Sequence, residues 1–128
     1  MNYLIDTHVL IWFTEGDAQL PLNIRSLIAD PENTVFVSHA CIWEIAIKTS
    51  IGKLNVTLSL PELEASHEKN GFVELPTRFH HFGALINLPQ HHQDPFDRLI
   101  IAQAISENYT VISHDPKFKL YTVKLLSF

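Results

Sequence analysis

Short apolar runs of strand type alternate along the chain with longer segments whose apolar residues recur at helical spacing. The strand-type runs are rich in β-branched and aromatic residues and are bounded by Pro, Gly, Asn or Asp, which interrupt regular structure. They predict five strands, at residues 2–6, 34–38, 72–75, 110–113 and 121–126. The segments between them predict six helices, at residues 7–14, 21–30, 39–50, 60–71, 77–87 and 94–108.

This alternation predicts an α/β fold, because parallel strands need a long crossover that is usually a helix. Right-handed crossovers leave helices on both faces of a parallel sheet. Since no linker, repeat or low-complexity segment interrupts the pattern, we predict a single domain over residues 1–128. In such folds, ligands bind beyond the carboxyl ends of the strands, near a change in strand order.

The composition of the chain narrows the classes of function. The net charge is −5 with nine Lys and Arg residues, which argues against a broad basic surface for nucleic acid. Cys41 is the single cysteine, so no internal disulfide forms and a reducing, cytoplasmic environment is expected. No uncharged apolar stretch approaches the roughly 20 residues of a membrane helix.

Two aspartates stand three residues apart at the start of the helix predicted for residues 94–108. Asp94 suits the N-cap, Pro95 the first helical position and Asp97 the third, where an acid can complete a capping box. Both charges also suit the positive end of the helix dipole. Capping is therefore a sufficient explanation of this pair when it is considered in isolation.

Three further acids also admit structural explanations. Asp6 and Asp115 follow predicted strands, so one suits a helix cap and the other a turn. Glu44 lies in a helix that is apolar on nearly every side and is therefore expected to be buried. A buried carboxylate must be paired, neutral, at the helix edge or bound to a cation. Lys48, four residues later, is an available partner for an ion pair.

The acids become more informative in combination. Asp6 and Asp115 end strands at one edge of the predicted sheet, and Asp97 and Glu44 lie near the starts of helices entered from that edge. At ~4 Å and an effective dielectric constant of ~20, each close carboxylate pair costs about 4 kcal/mol. Few Lys or Arg residues lie near these positions, so a hard cation with oxygen ligands, Mg²⁺ or Mn²⁺, is expected between the acids.

Four motifs, LIDTHVLIW, SHACIWEIAIK, HHQDPFDRLIIAQA and VISHD, occur in an order that resembles the PIN domain family, and within it the VapC-type toxins of bacterial toxin–antitoxin pairs. The resemblance covers essentially the whole chain. It implies a three-layer α/β/α domain with a five-stranded parallel sheet of order 3-2-1-4-5, a homodimer, and divalent-metal-dependent cleavage of RNA. The residues that match the family's catalytic and metal-binding acids, called the acidic quartet below, are Asp6, Glu44, Asp97 and Asp115.

Four more residues are expected to support the quartet. Thr7 and Ser113 match small polar positions of the family and are expected to hydrogen-bond the carboxylates. Asp94 matches a subgroup of the family and is assigned first to capping and second to an outer contact with metal or water. Arg98 adjoins the quartet in sequence and is expected to touch substrate phosphates.

Two histidine pairs, His80–His81 and His91–His92, are a second potential source of metal ligands. Adjacent side chains on a helix point in different directions, and no His-Glu-x-x-His spacing occurs. We therefore predict packing or surface positions for these histidines. Trp43 is predicted to make core or dimer contacts rather than to stack on bases.

The resemblance implies a Mg²⁺- or Mn²⁺-dependent endoribonuclease with one or two ions per site, acting as the toxin of a type II toxin–antitoxin system. RNA would be its substrate and a cognate antitoxin protein its partner. A non-catalytic PIN-like interaction module and a housekeeping RNA-processing nuclease remain as alternatives. A receiver domain and a haloacid-dehalogenase-like phosphatase are disfavoured, because Asp6-Thr7-His8 supplies neither an acidic pair nor Asp-x-Asp.

Overall fold

The computed structural model describes residues 1–54 and 57–128, which form one parallel sheet with its connecting helices. Leu4 pairs with Phe36 on one side and with Val111 on the other, so the first strand lies at the centre of the sheet. The strand order is β3-β2-β1-β4-β5, which confirms the order implied by the family resemblance. The strands are β1 (Asn2–Ile5), β2 (Thr34–Ser38), β3 (Val73–Leu75), β4 (Thr110–Ser113) and β5 (Leu125–Ser127).

Six α-helices and one 3₁₀ helix connect the strands within the described residues. They are α1 (Thr7–Glu15), α2 (Leu22–Ala29), α3 (His39–Ser50), α4 (Leu60–Lys69), α5 (Phe79–Ile86), α6 (Pro95–Glu107) and the 3₁₀ helix Pro116–Leu120. The chain moves outward from β1 to β3 and then returns across β1 to β4 and β5. Right-handed crossovers in these two directions place helices on both faces of the sheet. Among the described residues, none of the helices is both long and apolar enough to cross a membrane.

The core is built on the two central strands and α6. Ile5 of β1 and Val111 and Ile112 of β4 are fully buried, as expected for parallel strands that are covered on both faces. In α6 a continuous run, residues 98–104, is buried as well. Side chains that follow β1 or begin α6 are therefore held on rigid elements.

Side-chain caps fix the starts of the helices that leave the carboxyl edge of the sheet. The Asp6 carboxylate accepts a hydrogen bond from the Val9 N–H (2.9 Å), and the Ser38 hydroxyl accepts one from the Ala40 N–H (3.0 Å). Asp94 caps α6 in the same way. These caps confirm the predicted helix starts, because a short polar side chain at the N-cap satisfies backbone donors that have no partner within the helix.

The last part of the chain differs from the prediction. Strand β5 begins at Leu125 rather than at residue 121, and a 3₁₀ helix that the sequence pattern does not predict precedes it. Phe118 is fully buried and anchors this 3₁₀ helix, and the Tyr121 side chain is buried just beyond it. Phe118 and Tyr121 are therefore buried by an irregular segment and do not belong to a strand.

Helix α3 is less enclosed than its apolar sequence predicts. One face of it is buried and includes Cys41, Glu44 and Ile45, whereas Trp43 is 58% exposed. The expectation that Glu44 is buried is nevertheless confirmed, because this residue lies on the buried face.

Candidate active site

The candidate site lies where the carboxyl ends of β1 and β4 meet. The two strands are neighbours, and the connections that leave them run in opposite directions across the sheet. Such a change of direction opens a crevice in α/β sheets. Asp6 directly follows β1 and Asp115 lies two residues beyond β4, and both line an open surface depression together with His8, Trp12 and His114.

The Asp6 carboxylate is buried and hydrogen-bonded through both oxygens. Oδ1 accepts the Val9 N–H, and Oδ2 accepts the Ser113 hydroxyl at 2.5 Å. The Ser113 oxygen in turn accepts the Asp115 N–H at 3.0 Å. Burial raises the pKa of Asp6 above its ordinary value, against the opposing effect of these two hydrogen bonds. Ser113 thus links the acids that follow β1 and β4.

Glu44 is also buried, and both of its oxygens have partners. The Thr7 hydroxyl donates to Oε1 at 2.6 Å, and the Lys48 ammonium lies 2.5 Å from Oε2. The i,i+4 ion pair proposed from the sequence is therefore present. The hydrogen bond to Glu44 raises the pKa of Lys48, and the charges on Asp94 and Asp97 raise it further. A positive group therefore stands at the margin of the acids, which the sequence reasoning had considered only as a helix pair.

Asp94 and Asp97 have separate roles at the start of α6. Oδ1 of Asp94 accepts the N–H groups of Phe96 (2.9 Å) and Asp97 (3.0 Å), so Asp94 is the cap. Burial makes the largest contribution to raising the pKa of Asp97 to about 8. The next contributions come from the charges of other acids, which are Asp94, Glu44, Asp115 and Asp6. The charges of all the other quartet members therefore raise the pKa of Asp97, so the four acids form one electrostatic cluster.

Asp115 is half-buried and caps the 3₁₀ helix, because its Oδ1 accepts the Lys117 N–H at 2.9 Å. The turn predicted for Asp115 and Pro116 is therefore present as the start of this helix. Its backbone N–H is fixed by Ser113. A carboxylate held at both the backbone and the side chain keeps a constant position beside Asp6.

The quartet offers only carboxylate oxygens, which are the ligands that Mg²⁺ and Mn²⁺ prefer. Burial and the neighbouring negative charges raise the pKa of Asp6 and of Asp97. A cation between these groups would offset both effects, so the residues present fit such an ion. Within the described residues, no three members of the quartet bring oxygens within 4.8 Å of one another. The cluster is therefore more open than a closed metal cage.

The expectation that Arg98 touches substrate is not supported by its position. Arg98 is buried, and its guanidinium donates to the carbonyl oxygens of Pro89 (2.7 Å) and Leu88 (3.3 Å) and to the Tyr121 hydroxyl (3.1 Å). It therefore holds the loop before α6 in place. Sequence proximity to Asp97 was misleading, because consecutive residues of a helix point in different directions.

His80 and His81 converge rather than diverge, which corrects the argument made from their adjacency. Nε2 of each ring lies 2.8 Å from the same oxygen of Glu107. His81 is fully buried, and its Nδ1 accepts the Arg78 N–H at 3.0 Å, so Nε2 carries its hydrogen and donates to Glu107. Among the described residues, these three form the one compact group of potential metal ligands. A metal on Nε2 of His81 would displace that hydrogen, so the group is better explained as a packing network.

Two residues lie beside the quartet that the sequence analysis did not place against its carboxylates. His92 places Nε2 3.3 Å from Oδ2 of Asp97, and Tyr121 contacts the same imidazole through its hydroxyl. The position of His92 just before Asp94 was a signal for the first of them. Tyr121 gave no signal, because 29 residues separate it from His92.

Comparison with known families identifies the class of protein that this fold and site define. The sequence matches the PIN domain over residues 3–124, and the chain belongs to the PIN domain family. PIN domains are generally nucleases. No curated protein matches the sequence.

Solved structures share the fold at low sequence identity. VapBC2 from Rickettsia felis, bound to a DNA fragment from its promoter, aligns with a TM-score of 0.74 and 18% identity over 99% of this chain and 98% of that chain. VapBC-1 from nontypeable Haemophilus influenzae aligns with a TM-score of 0.65 and 19% identity, over 99% of this chain and 98% of that chain. VapBC-5 from Mycobacterium tuberculosis aligns with a TM-score of 0.59 and 17% identity, over 99% of this chain and 97% of that chain. At these identities the likeness establishes the fold.

Proposed function

We propose that the chain, as a single domain over residues 1–128, is a divalent-metal-dependent endoribonuclease that acts in the cytoplasm as the toxin of a type II toxin–antitoxin system. The observation that carries this proposal is the cluster of acids at the carboxyl edge of the sheet, in which Ser113 links Asp6 to Asp115. The charges of Glu44, Asp115 and Asp6 raise the pKa of the partly buried Asp97 in this cluster. Membership of the PIN domain family supports phosphodiester hydrolysis as the reaction.

The quartet would hold one or two Mg²⁺ or Mn²⁺ ions, with Asp6, Asp97 and Asp115 as the main ligands and Glu44 as a further one. A bound ion of this type lowers the pKa of a water molecule and offsets charge that develops on phosphate. Ser113 holds Asp6 and Asp115 relative to each other. Thr7, at the start of α1, orients Glu44 of α3 through its hydroxyl. Asp94 contributes by capping the helix that carries Asp97 and by adding negative charge.

Lys48 takes the role in substrate contact that the sequence suggested for Arg98. Its side chain is 34% exposed, and its ammonium lies beside Glu44 at the margin of the quartet. A flexible primary ammonium there can contact a phosphate oxygen while it remains near the carboxylate. Such a contact would attract RNA to an otherwise negative site.

Two protein partners are part of the proposal. The relatives from R. felis and H. influenzae are VapBC assemblies, which supports a cognate antitoxin as one partner. For a homodimer, α5 offers Phe79 (96% exposed), Phe82 (47%) and Ile86 (81%). These residues share one face at helical spacing, and an exposed apolar face of this kind is typical of an interaction surface.

The proposal is tested with purified protein and a single-stranded RNA. We expect cleavage with Mn²⁺ that stops in excess chelator and is reduced at least a hundredfold in Asp6→Asn and Asp97→Asn. Asp30→Asn, an exposed aspartate beyond α2, is the matched control and should cleave normally. Wild-type protein that does not cleave RNA under any of these conditions would favour the non-catalytic interaction module.

Induced expression in bacteria tests the biological role. We expect growth arrest with the wild-type chain, no arrest with Asp6→Asn, and rescue by a small DNA-binding protein encoded immediately upstream. Cleavage in vitro without growth arrest would favour a housekeeping RNA-processing nuclease instead.

A further inference from the structure

The Tyr121 hydroxyl has three polar neighbours in the described structure. It lies 3.2 Å from the His92 backbone nitrogen, 3.1 Å from Nη1 of Arg98 and 2.7 Å from Nδ1 of His92. A backbone N–H and a guanidinium N–H can only donate. The hydroxyl therefore accepts from both of these groups, and its own single hydrogen is left for Nδ1 of His92.

This arrangement fixes the tautomer of His92. Because Nδ1 accepts the Tyr121 hydrogen, the neutral ring carries its hydrogen on Nε2. Nε2 lies 3.3 Å from Oδ2 of Asp97, so the N–H points at that carboxylate. The contact is shielded from water, since 7% of the His92 side chain and 16% of the Asp97 side chain are exposed.

We propose that Arg98 and Tyr121 hold His92 as its Nε2–H tautomer, and that His92 thereby positions the Asp97 carboxylate through a hydrogen bond to Oδ2. The significance for catalysis rests on the proposed function, whereas the hydrogen-bond chain does not. His92 is a positioning residue, because it acts through Asp97. The buried Arg98 contributes because its guanidinium donates one of the two hydrogen bonds that orient the Tyr121 hydroxyl.

The tautomer is measured by nitrogen NMR on the full metal-free chain at neutral pH. We expect His92 to show a protonated Nε2 and an unprotonated Nδ1, and Tyr121→Phe to shift the ring toward a mixture of tautomers. A wild-type ring that is charged or protonated only at Nδ1 would overturn the proposal. This wild-type measurement decides the matter even if Tyr121→Phe fails to fold.

The positioning role is measured by titration calorimetry with Mn²⁺ in the absence of RNA. A Gln side chain places its amide nitrogen near the position of Nε2, whereas an Asn side chain reaches only to that of Nδ1. We expect His92→Asn to weaken Mn²⁺ binding about 10- to 100-fold and His92→Gln to recover most of this loss. Gln93→Ala, at an exposed neighbouring position, should bind Mn²⁺ normally. Equal affinity in the wild-type, Asn and Gln proteins would overturn the positioning role.

Failure of the proposed function is distinguishable from failure of this inference. A wild-type chain that neither binds Mn²⁺ nor cleaves RNA would contradict the nuclease and, with it, the positioning of a metal ligand. The nitrogen shifts of His92 would still establish or refute the chain from Arg98 to Asp97.

Discussion

The Asp97 carboxylate lies in a largely buried position, with 16% of its side chain exposed, and the charges of neighbouring acids raise its pKa beyond the effect of burial. Without a cation, the folded protein therefore favours the protonated form of this group. The same placement makes Asp97 a strong candidate for binding a divalent ion, since ionised oxygens held close together bind such an ion well. The ionised form of Asp97 thus destabilises the metal-free protein but favours binding of a metal ion.

The first prediction concerns the pH dependence of stability in chelator. Burial and the charges of neighbouring acids together raise the pKa of Asp97 from 3.8 to about 8. Its stabilising contribution is therefore complete below pH 3.8 and is lost as the pH rises toward 8. Asp97→Asn should remove this loss and be more stable than wild type at pH 8, by about 2 kcal/mol. Urea unfolding at pH 5 and pH 8 measures the difference.

Asp30→Asn is the control for this experiment, because Asp30 is exposed and its side chain caps a local turn. Parallel pH curves for the wild-type and Asp97→Asn proteins would contradict the expected burial of this charge.

The second prediction concerns Thr7, whose hydroxyl donates to the buried Glu44. Thr7→Val keeps the shape of the side chain and removes the donor, so it should cost about 1–3 kcal/mol in unfolding free energy. Thr7→Ser retains the hydroxyl and should lose clearly less. Chemical denaturation of the three proteins measures this, and equal losses for Val and Ser would show that packing rather than the hydrogen bond is responsible.

At the scale of the elements, the same side chains that begin the helices also build the site. Asp6, Asp94 and Asp115 each accept a backbone N–H at the start of the following helix. Capping requires a short polar side chain at the carboxyl edge of the sheet, which is also where the crevice opens. Each of these acids can therefore cap a helix and also belong to the site. The two roles are separated by a substitution that removes the charge and keeps the cap.

The third prediction separates capping from charge at Asp94. Asn caps a helix about as well as Asp does, whereas Ala provides no cap. Asp94→Ala should therefore lose about 1 kcal/mol of stability, and Asp94→Asn should lose little while lowering the pKa of Asp97, because one repelling charge is gone. Thermal unfolding and carboxyl-carbon NMR measure the two effects. Equal destabilisation by Ala and Asn would mean that the charge, not the cap, is the stabilising feature.

The elements that the sequence predicted well are those determined by neighbouring residues. The caps at Asp6, Ser38 and Asp94 follow from residues within one helical turn, and the buried strands follow from short apolar runs. The position of Glu44 was also accessible, because α3 is apolar around it and Lys48 lies one turn away. Such local signals are sufficient to locate the acids on their elements.

The features that the sequence did not predict depend on contacts between segments that are distant in the chain. Arg98 turns toward the carbonyls of residues 88 and 89 and toward Tyr121, and no local pattern specifies that direction. The late start of β5 follows from the burial of Phe118 in a 3₁₀ helix. The resemblance to the PIN domain, rather than periodicity, supplied the sheet order and RNA as the substrate.

At the scale of the whole molecule, a net charge of −5 must be reconciled with the proposed RNA substrate. The acids of the quartet add to the repulsion of phosphates, and Lys48 is one nearby positive group. A bound divalent ion would make the local field favourable while the molecule as a whole stays negative. Affinity for RNA should accordingly depend on metal more than on surface charge.

The fourth prediction follows from this balance of charge. In chelator at physiological salt, we expect weak binding to arbitrary single-stranded RNA, without a stable gel-shifted complex, because broad basic contacts are lacking. Lys48→Ala should weaken the residual binding further. A complex that stays tight in chelator would contradict the requirement for metal.

The fifth prediction concerns self-association through α5. We expect the wild-type chain to form the proposed homodimer. A charge placed at Phe79 or Ile86 should make it monomeric, because both side chains belong to the exposed apolar face. Leu22→Glu is the matched control, since Leu22 is similarly exposed on α2 (80%). Sedimentation velocity measures the outcome, and an unchanged dimer in Phe79→Glu and Ile86→Glu would place the interface elsewhere.

Strand β1 is synthesised before the other four strands, yet it occupies the middle of the sheet and pairs with β4. Asp6 and the Ser113 hydroxyl that holds it are separated by 107 residues. A nascent chain therefore carries Asp6 for most of its synthesis without the strand that completes the crevice. If the chain is a ribonuclease, translation must pass residue 115 before all four acids of the quartet are present, so nascent chains shorter than this cannot cleave the message that encodes them.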